Sequence, residues 1–420
     1  MIPLLVLLLS CQEPQEDEPE PFREPGAAAR TQAVDVYARY NVSHPYHLDR
    51  RTVAGLSIGA MDVIHAGLLD GGDDPLAARL LKWAFSGGVS VAVTHVAHEY
   101  GHLSSLSKVG RHLDYVVAFP DDPGEEREDL TPGRLLAQGL GFAPRRSVGV
   151  SEDDWDSVRR LFAGNPRGFN RFLLAAEAGG MNEEQVLACA YGDRLRDGRM
   201  SYLDTPAWLW AASGTLLYPA SRDEGDLARY EDLVEADGHP TSTGSIKAFS
   251  MVRFLGGTGV AAMRGAVLGF AGEDGGFVPP AAWDVGQDAR VYWPEFESWL
   301  TREGPTVRAA IPVRWASWSW EPAYERSFAG GGVGHEAGTR VRWSATEFVA
   351  VQGSVSLSDA GGRWMELEAE LRPAPWASLL LGVEGGRGYT FRREIFGSLT
   401  DVLEDSERSV LLGLRLSATF

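Results

Sequence analysis

Residues 89–106 read Val-Ser-Val-Ala-Val-Thr-His-Val-Ala-His-Glu-Tyr-Gly-His-Leu-Ser-Ser-Leu, and the reading of this stretch decides the rest of the chain. Its apolar residues recur with helical spacing, which predicts a buried helix. On that helix His98 and His102 are four residues apart and share one face, so both imidazoles can reach one ion. Glu99 lies one position round, close enough to polarise a water at the ion's open coordination position. Zinc lowers the pKa of such a water toward neutrality and polarises a carbonyl, while a carboxylate takes and returns the proton. Those are the requirements of peptide-bond hydrolysis.

Working outward, the chain from about Val34 to Arg308 reads mostly helical, with 3.6-residue periodicity in segments such as Val53–Leu69, Pro75–Leu106, Phe169–Ala178, Glu183–Leu195 and Ser245–Leu268. Gly179-Gly180 is expected to end one helix, and Asn182, three residues before Gln185, has the spacing of a capping box that starts the next. The strongly apolar stretches Leu80–Ala97 and Ile246–Phe270 contain Lys82, Thr94, His95, Arg253 and Arg264, which argues for core helices rather than membrane spans.

After about Ala309 the period changes to two. Met365, Leu367, Ala369 and Leu371 alternate with Glu366, Glu368, Glu370 and Arg372, and Leu412, Leu414, Leu416, Ala418 and Phe420 share one strand face. The fold class expected is α+β: a mainly helical domain over 34–308, then an antiparallel β-rich domain over 309–420. Alternating apolar residues running to a terminal Phe resemble the C-terminal signal of outer-membrane β-barrel proteins. About six strands are expected, fewer than the roughly eight of the smallest single-chain barrels. A soluble antiparallel sheet or small sandwich therefore fits better.

The segment His98-Glu99-Tyr100-Gly101-His102 resembles the HExxH motif of the zincin metallopeptidases, over five residues and their helical context. The resemblance implies a Zn2+ cofactor, His98 and His102 as ligands, Glu99 as the catalytic base, and a protein or peptide substrate. The metzincin extension would need a histidine where Lys108 stands, so a downstream carboxylate is implied, as in gluzincins. Glu177 is the preferred third ligand, because a lone acid amid Ala175, Ala176, Ala178 and Gly179 needs a partner. Asp204 and Glu184 are its rivals, although acids at helix starts commonly serve the helix dipole. His95, Asp62 and His65 are candidates for orienting a ligand, and His239 and Tyr230 for stabilising an oxyanion. Trp315, Trp318 and Trp320 suggest a binding face on the β domain.

At the other end, Leu8-Leu9-Ser10-Cys11 closes an apolar run from Ile2 to Leu9 that is too short to span a bilayer. It resembles the lipobox of bacterial lipoproteins, which implies a signal peptide over 1–10, lipidation at Cys11 and a membrane partner through that anchor. Residues 11–33 then form an acidic, proline-rich tether. Gln12 after the cysteine points to the outer membrane of a bacterial cell envelope. With Cys11 lipidated, Cys189 is a buried thiol. A net charge of -19 excludes nucleic acid as a partner. The resulting expectation is a lipid-anchored zinc hydrolase; the alternative is a non-enzymatic envelope lipoprotein with a vestigial HExxH and a working β domain.

Overall fold

The computed structural model describes residues 33–419 apart from 69–73, 119–127, 142–146, 219–224, 272–276, 287, 330–333, 401–402 and 404. The signal, Cys11 and nearly all of the tether lie outside the described residues. Ten α-helices are described: α1 (Arg50–Leu68), α2 (Leu76–Ser107), α3 (Pro132–Gly139), α4 (Glu152–Leu161), α5 (Pro166–Arg196), α6 (Thr205–Leu217), α7 (Asp226–Ala236), α8 (Thr243–Ser250), α9 (Gly257–Ala271) and α10 (Phe391–Phe396). The fold is α+β, as expected, with one large antiparallel sheet of twelve strands.

Helix α2 carries the His98–His102 segment and packs along α5. Where they cross, a methyl on Gly101 would lie 2.4 Å from the Gly179 carbonyl oxygen, and one on Gly179 would lie 2.6 Å from that of Gly101. Only glycine permits this backbone approach. The break expected at Gly179-Gly180 is therefore corrected: α5 runs unbroken through both, and they serve contact rather than termination. Arg50, at the start of α1, braces the crossing by donating to the Gly179 carbonyl at 2.7 Å and, through its other nitrogen, to Ser105 Oγ at 2.6 Å. Around it Met61, Ala97, Leu187, Tyr191 and Trp208 form a core that is essentially closed to water.

The N-terminal half of α2 departs from the expected core helix. Leu76, Leu80, Leu81 and Phe85 are exposed, and the apolar window that would suffice to cross a membrane is only 22% buried.

The large sheet runs β1 (Ala33–Asn41), β15 (Ser406–Thr419), β14 (Ala377–Arg387), β13 (Arg363–Ala374), β12 (Val349–Ser358), β11 (His335–Ser344), β10 (Trp318–Ser327), β9 (Val313–Trp315), β6 (Ala289–Tyr292) and β5 (Ala282–Val285). β8 (Gly304–Ala310) pairs with β10 and with β7 (Glu295–Thr301). A small second sheet joins β2 (Tyr115–Ala118), β3 (Glu128–Asp129) and β4 (Ser147–Val150). The boundary expected at 308/309 falls inside β8, and the large sheet takes β1 and β5 to β7 from before it. About six strands were expected; β10 to β15 are those six, and the others are short or lie in the region read as helical.

The alternation has the opposite sense from a water-facing sheet. Glu366, Glu370, Glu384 and Glu407 are buried against the helices, while Met365, Leu367, Leu381 and Leu412 face out. The buried acids meet arginines: Arg39 lies 2.9 Å from Glu366, Arg51 donates to Glu366 at 2.8 Å, and Arg393 lies 3.4 Å from Glu407. Of the two forms expected, an antiparallel sheet or a small sandwich, the structure has the sheet.

Candidate metal centre

Three donor atoms converge at the α2–α5 crossing. His98 Nε2 and His102 Nε2 are 3.2 Å apart, and Asp226 Oδ2 lies 3.1 Å from the first and 3.2 Å from the second. Asp226 opens α7 after Gly225, whose φ of 128° is accessible only to glycine.

The Nδ1 atom of each ring has a partner of its own. His102 Nδ1 donates to the Ala176 carbonyl at 2.7 Å, and a carbonyl only accepts. His98 Nδ1 donates to Glu184 Oε1 at 2.9 Å. When both rings are neutral, with their protons on Nδ1, each turns a lone pair toward the other and toward a carboxylate oxygen. Three acceptors facing one another repel, and a cation at their centre reverses the sign. Around a tetrahedral zinc with bonds of about 2.0–2.1 Å, ligand atoms lie roughly 3.3–3.4 Å apart. The observed triangle is within about 0.3 Å of that, so these residues fit the ion.

Backbone shapes the site as much as side chains do. A methyl on Gly180 would sit 2.4 Å from His98 Nε2 and 2.6 Å from His102 Nε2, so α5 offers bare backbone beneath the donors. A methyl on Gly214 would sit 1.7 Å from Glu184 Oε2, so α6 must be equally bare for Glu184 to reach His98. Tyr218 stacks on His98, with ring centroids 5.9 Å apart and planes at 23°, and its hydroxyl donates to Asp226 Oδ2.

Without a cation, protons on Nε2 take its place between the rings and Asp226. Burial alone would lower the pKa of His98, but Glu184 and Asp226 outweigh it and hold it well above the ordinary range. Asp226 shows the converse: burial would raise its carboxyl, and His102 and His98 hold it well below the usual carboxylate range. Burial raises the Tyr218 hydroxyl, and Asp226 adds to that. A metal and protons thus compete for the same lone pairs.

Glu99 is buried beside its ligand neighbour, with His95 Nδ1 at 3.9 Å from Glu99 Oε1. Glu177, the preferred third ligand, is not in the converging group: its nearest ion pair is with Arg229 at 3.9 Å, and burial pushes its carboxyl up. Glu184 holds His98 from outside the triangle. Asp204 is taken by His65 at 3.1 Å and by the Ser201 backbone N–H at 2.7 Å. Asp62 and His65 do not orient a ligand; Asp62 accepts from Arg194 at 2.7 Å. Tyr230 is buried and donates to the Thr301 carbonyl. Sequence reasoning missed Asp226 and Tyr218. The signal for Asp226, an acid directly after a glycine at a helix start, also describes ordinary helix capping.

No family model matches the chain, and no curated protein matches it. Solved structures similar to it include the outer-membrane expressed OmpT of Vibrio cholerae, at 12% identity and TM-score 0.23, over 33% of this chain and 54% of that one. Another is the loop L8 deletion mutant of OmpT, at 12% identity and TM-score 0.20, over 33% of this chain and 44% of that one. The chain spans about half the length of these proteins, and likeness at this level carries no argument about fold or function.

Proposed function

We propose that the chain is a zinc-dependent peptide-bond hydrolase of a bacterial cell envelope, anchored through lipid at Cys11. The observation that carries this reading is the donor triangle of His98, His102 and Asp226 with Glu99 at the adjoining helical position. When bound, zinc would supply a Lewis acid for the scissile carbonyl and a water of lowered pKa. The chain's residues divide the remaining tasks. His98 and His102 are oriented through their Nδ1 protons by Glu184 and the Ala176 carbonyl. The Tyr218 hydroxyl fixes the Asp226 carboxylate. Glu99 takes the proton of the attacking water and returns it to the departing amine nitrogen.

The test is zinc stoichiometry and peptide hydrolysis on the full chain and on His98→Ala, Asp226→Asn and Glu177→Gln. One zinc per chain, lost in the His98 and Asp226 variants and kept in the Glu177 variant, is the expected result. A well-folded chain that takes up no zinc when it is added back would end the reading.

A further inference from the structure

The outer face of β10 to β15 is the largest feature that the metal centre leaves unexplained, and we infer that it sits in the hydrocarbon of a lipid bilayer. This inference rests on neither the zinc reading nor Cys11.

Strand registers identify every residue on that face. Leu412 lies opposite Leu381, Leu381 opposite Ala369, Ala369 opposite Val351, and Val351 opposite Trp343. Trp343 in turn stacks on Trp318, with centroids 5.4 Å apart. Along β10 to β15 no acidic or basic side chain points outward between this row and the arginines described below. The inward face of the same strands carries Glu321, Glu325, Glu336, Glu366, Glu370 and Glu384. A sheet in water buries its apolar side; this one buries carboxylates and turns leucine outward, which is the alternation a hydrocarbon solvent selects.

The two ends of the face differ as two membrane interfaces do. At one end the connections are short, 316–317, 345–348 and 375–376, and exposed Trp315, Trp318, Trp343, Phe348 and Trp376 gather there. At the other end the connections 328–334 and 388–405 are longer, while 359–362 is short, and exposed Arg326, Arg363, Arg387 and Arg408 line the edge. Arg363 and Arg387 are directly opposite in register, with Asp405 3.2 Å from Arg387, so the group keeps a net positive charge that an anionic headgroup can meet. This charge complementarity, an uncharged band between an aromatic row and a basic rim, selects a bilayer over a second protein. Strands β10 to β15 have 10, 10, 10, 12, 11 and 14 residues. A tilted spanning strand needs about 9–11.

Hydrocarbon also forbids unpaired backbone at a sheet edge. Beside β15 the edge strand β1 meets that demand: the Asp35 N–H donates to Asp62 Oδ2 at 3.1 Å, and the Arg39 N–H to Thr52 Oγ1 at 2.7 Å, both from α1.

The test uses the full chain carrying Cys11→Ala, so that no lipid anchor contributes. It is mixed with vesicles of phosphatidylcholine and phosphatidylglycerol, in plain form or brominated at mid-chain, and floated on a density gradient after an alkaline wash. The chain is expected to float, to need detergent for release, and to lose tryptophan emission in brominated vesicles relative to plain ones. Replacing Leu381 and Leu412 by Arg together is expected to abolish flotation, while Arg363→Gln with Arg387→Gln reduces binding only to the phosphatidylglycerol-containing vesicles. A monodisperse chain in detergent-free buffer would overturn the inference, as a monomer because water covers the face and as a dimer because a second copy does. Zinc content of the same samples separates this outcome from failure of the hydrolase reading.

Discussion

Around the helix crossing, α5 hides Leu174, Ala178 and Met181; β13 does the reverse, hiding Glu366 and Glu370 and exposing Met365, Leu367 and Leu371. The two regions share one buried boundary yet follow opposite rules of burial. Around the crossing the helices follow the aqueous rule, and their buried charge lies at the candidate metal centre, at the Arg50 brace and in the Asp62, Arg194, Asp204 and His65 group. In the sheet, buried charge is the packing material, and most of the acids are matched by an arginine, while Glu336 accepts from the Phe391 backbone N–H. The difference shows that alternation alone does not identify the inner face of a sheet. What lies against each face decides that.

Four substitutions bear on the contrast. If the helical half buries Glu99 for chemistry, Glu99→Gln lowers peptide hydrolysis by about 100- to 10,000-fold. Zinc content and thermal unfolding should stay unchanged, and hydrolysis that persists would place the base elsewhere. If the sheet's charges are structural, Arg39→Met does the opposite. It leaves Glu384 without its arginine while Glu366 keeps Arg51, lowers unfolding stability by about 3–5 kcal/mol in denaturant titration, and leaves the turnover of the folded fraction alone. Gly180→Ala probes the point at which backbone serves as packing. Its methyl overlaps both imidazoles, so about 1–3 kcal/mol of stability and the bound zinc are lost together. Smallest of all, Leu381→Ser on the outer face should change unfolding in detergent by less than about 0.5 kcal/mol. A large loss there would mean that the face packs against protein.

The sequence carried the α+β class, the helix that bears His98 and His102 and two of the three converging donors, because these depend on local periodicity and four-residue spacing. It did not carry the third donor. Asp226 is 124 residues beyond His102 (226 minus 102), and its local context is that of a routine helix start. Gly179-Gly180 misled for a related reason: glycine pairs end helices far more often than they let two helices touch. The alternation in Trp364–Arg372 was legible as a strand, but its inner face was not. Burial of Glu366 depends on Arg39 and Arg51, more than 300 residues away in sequence.

The pairing of β1 with β15 sets a timetable. Ala33 lies opposite Thr419, a separation of 386 residues (419 minus 33). At about 5–20 residues per second of synthesis, β1 waits on the order of 20–80 s for its partner to exist. Meanwhile α1, which lies along β1, lacks its finished support, and Arg50 at the head of α1 braces the α2–α5 crossing. Completion of the support behind the candidate metal centre thus waits on delivery of the strand at 406–419, late in the synthesis of each new chain.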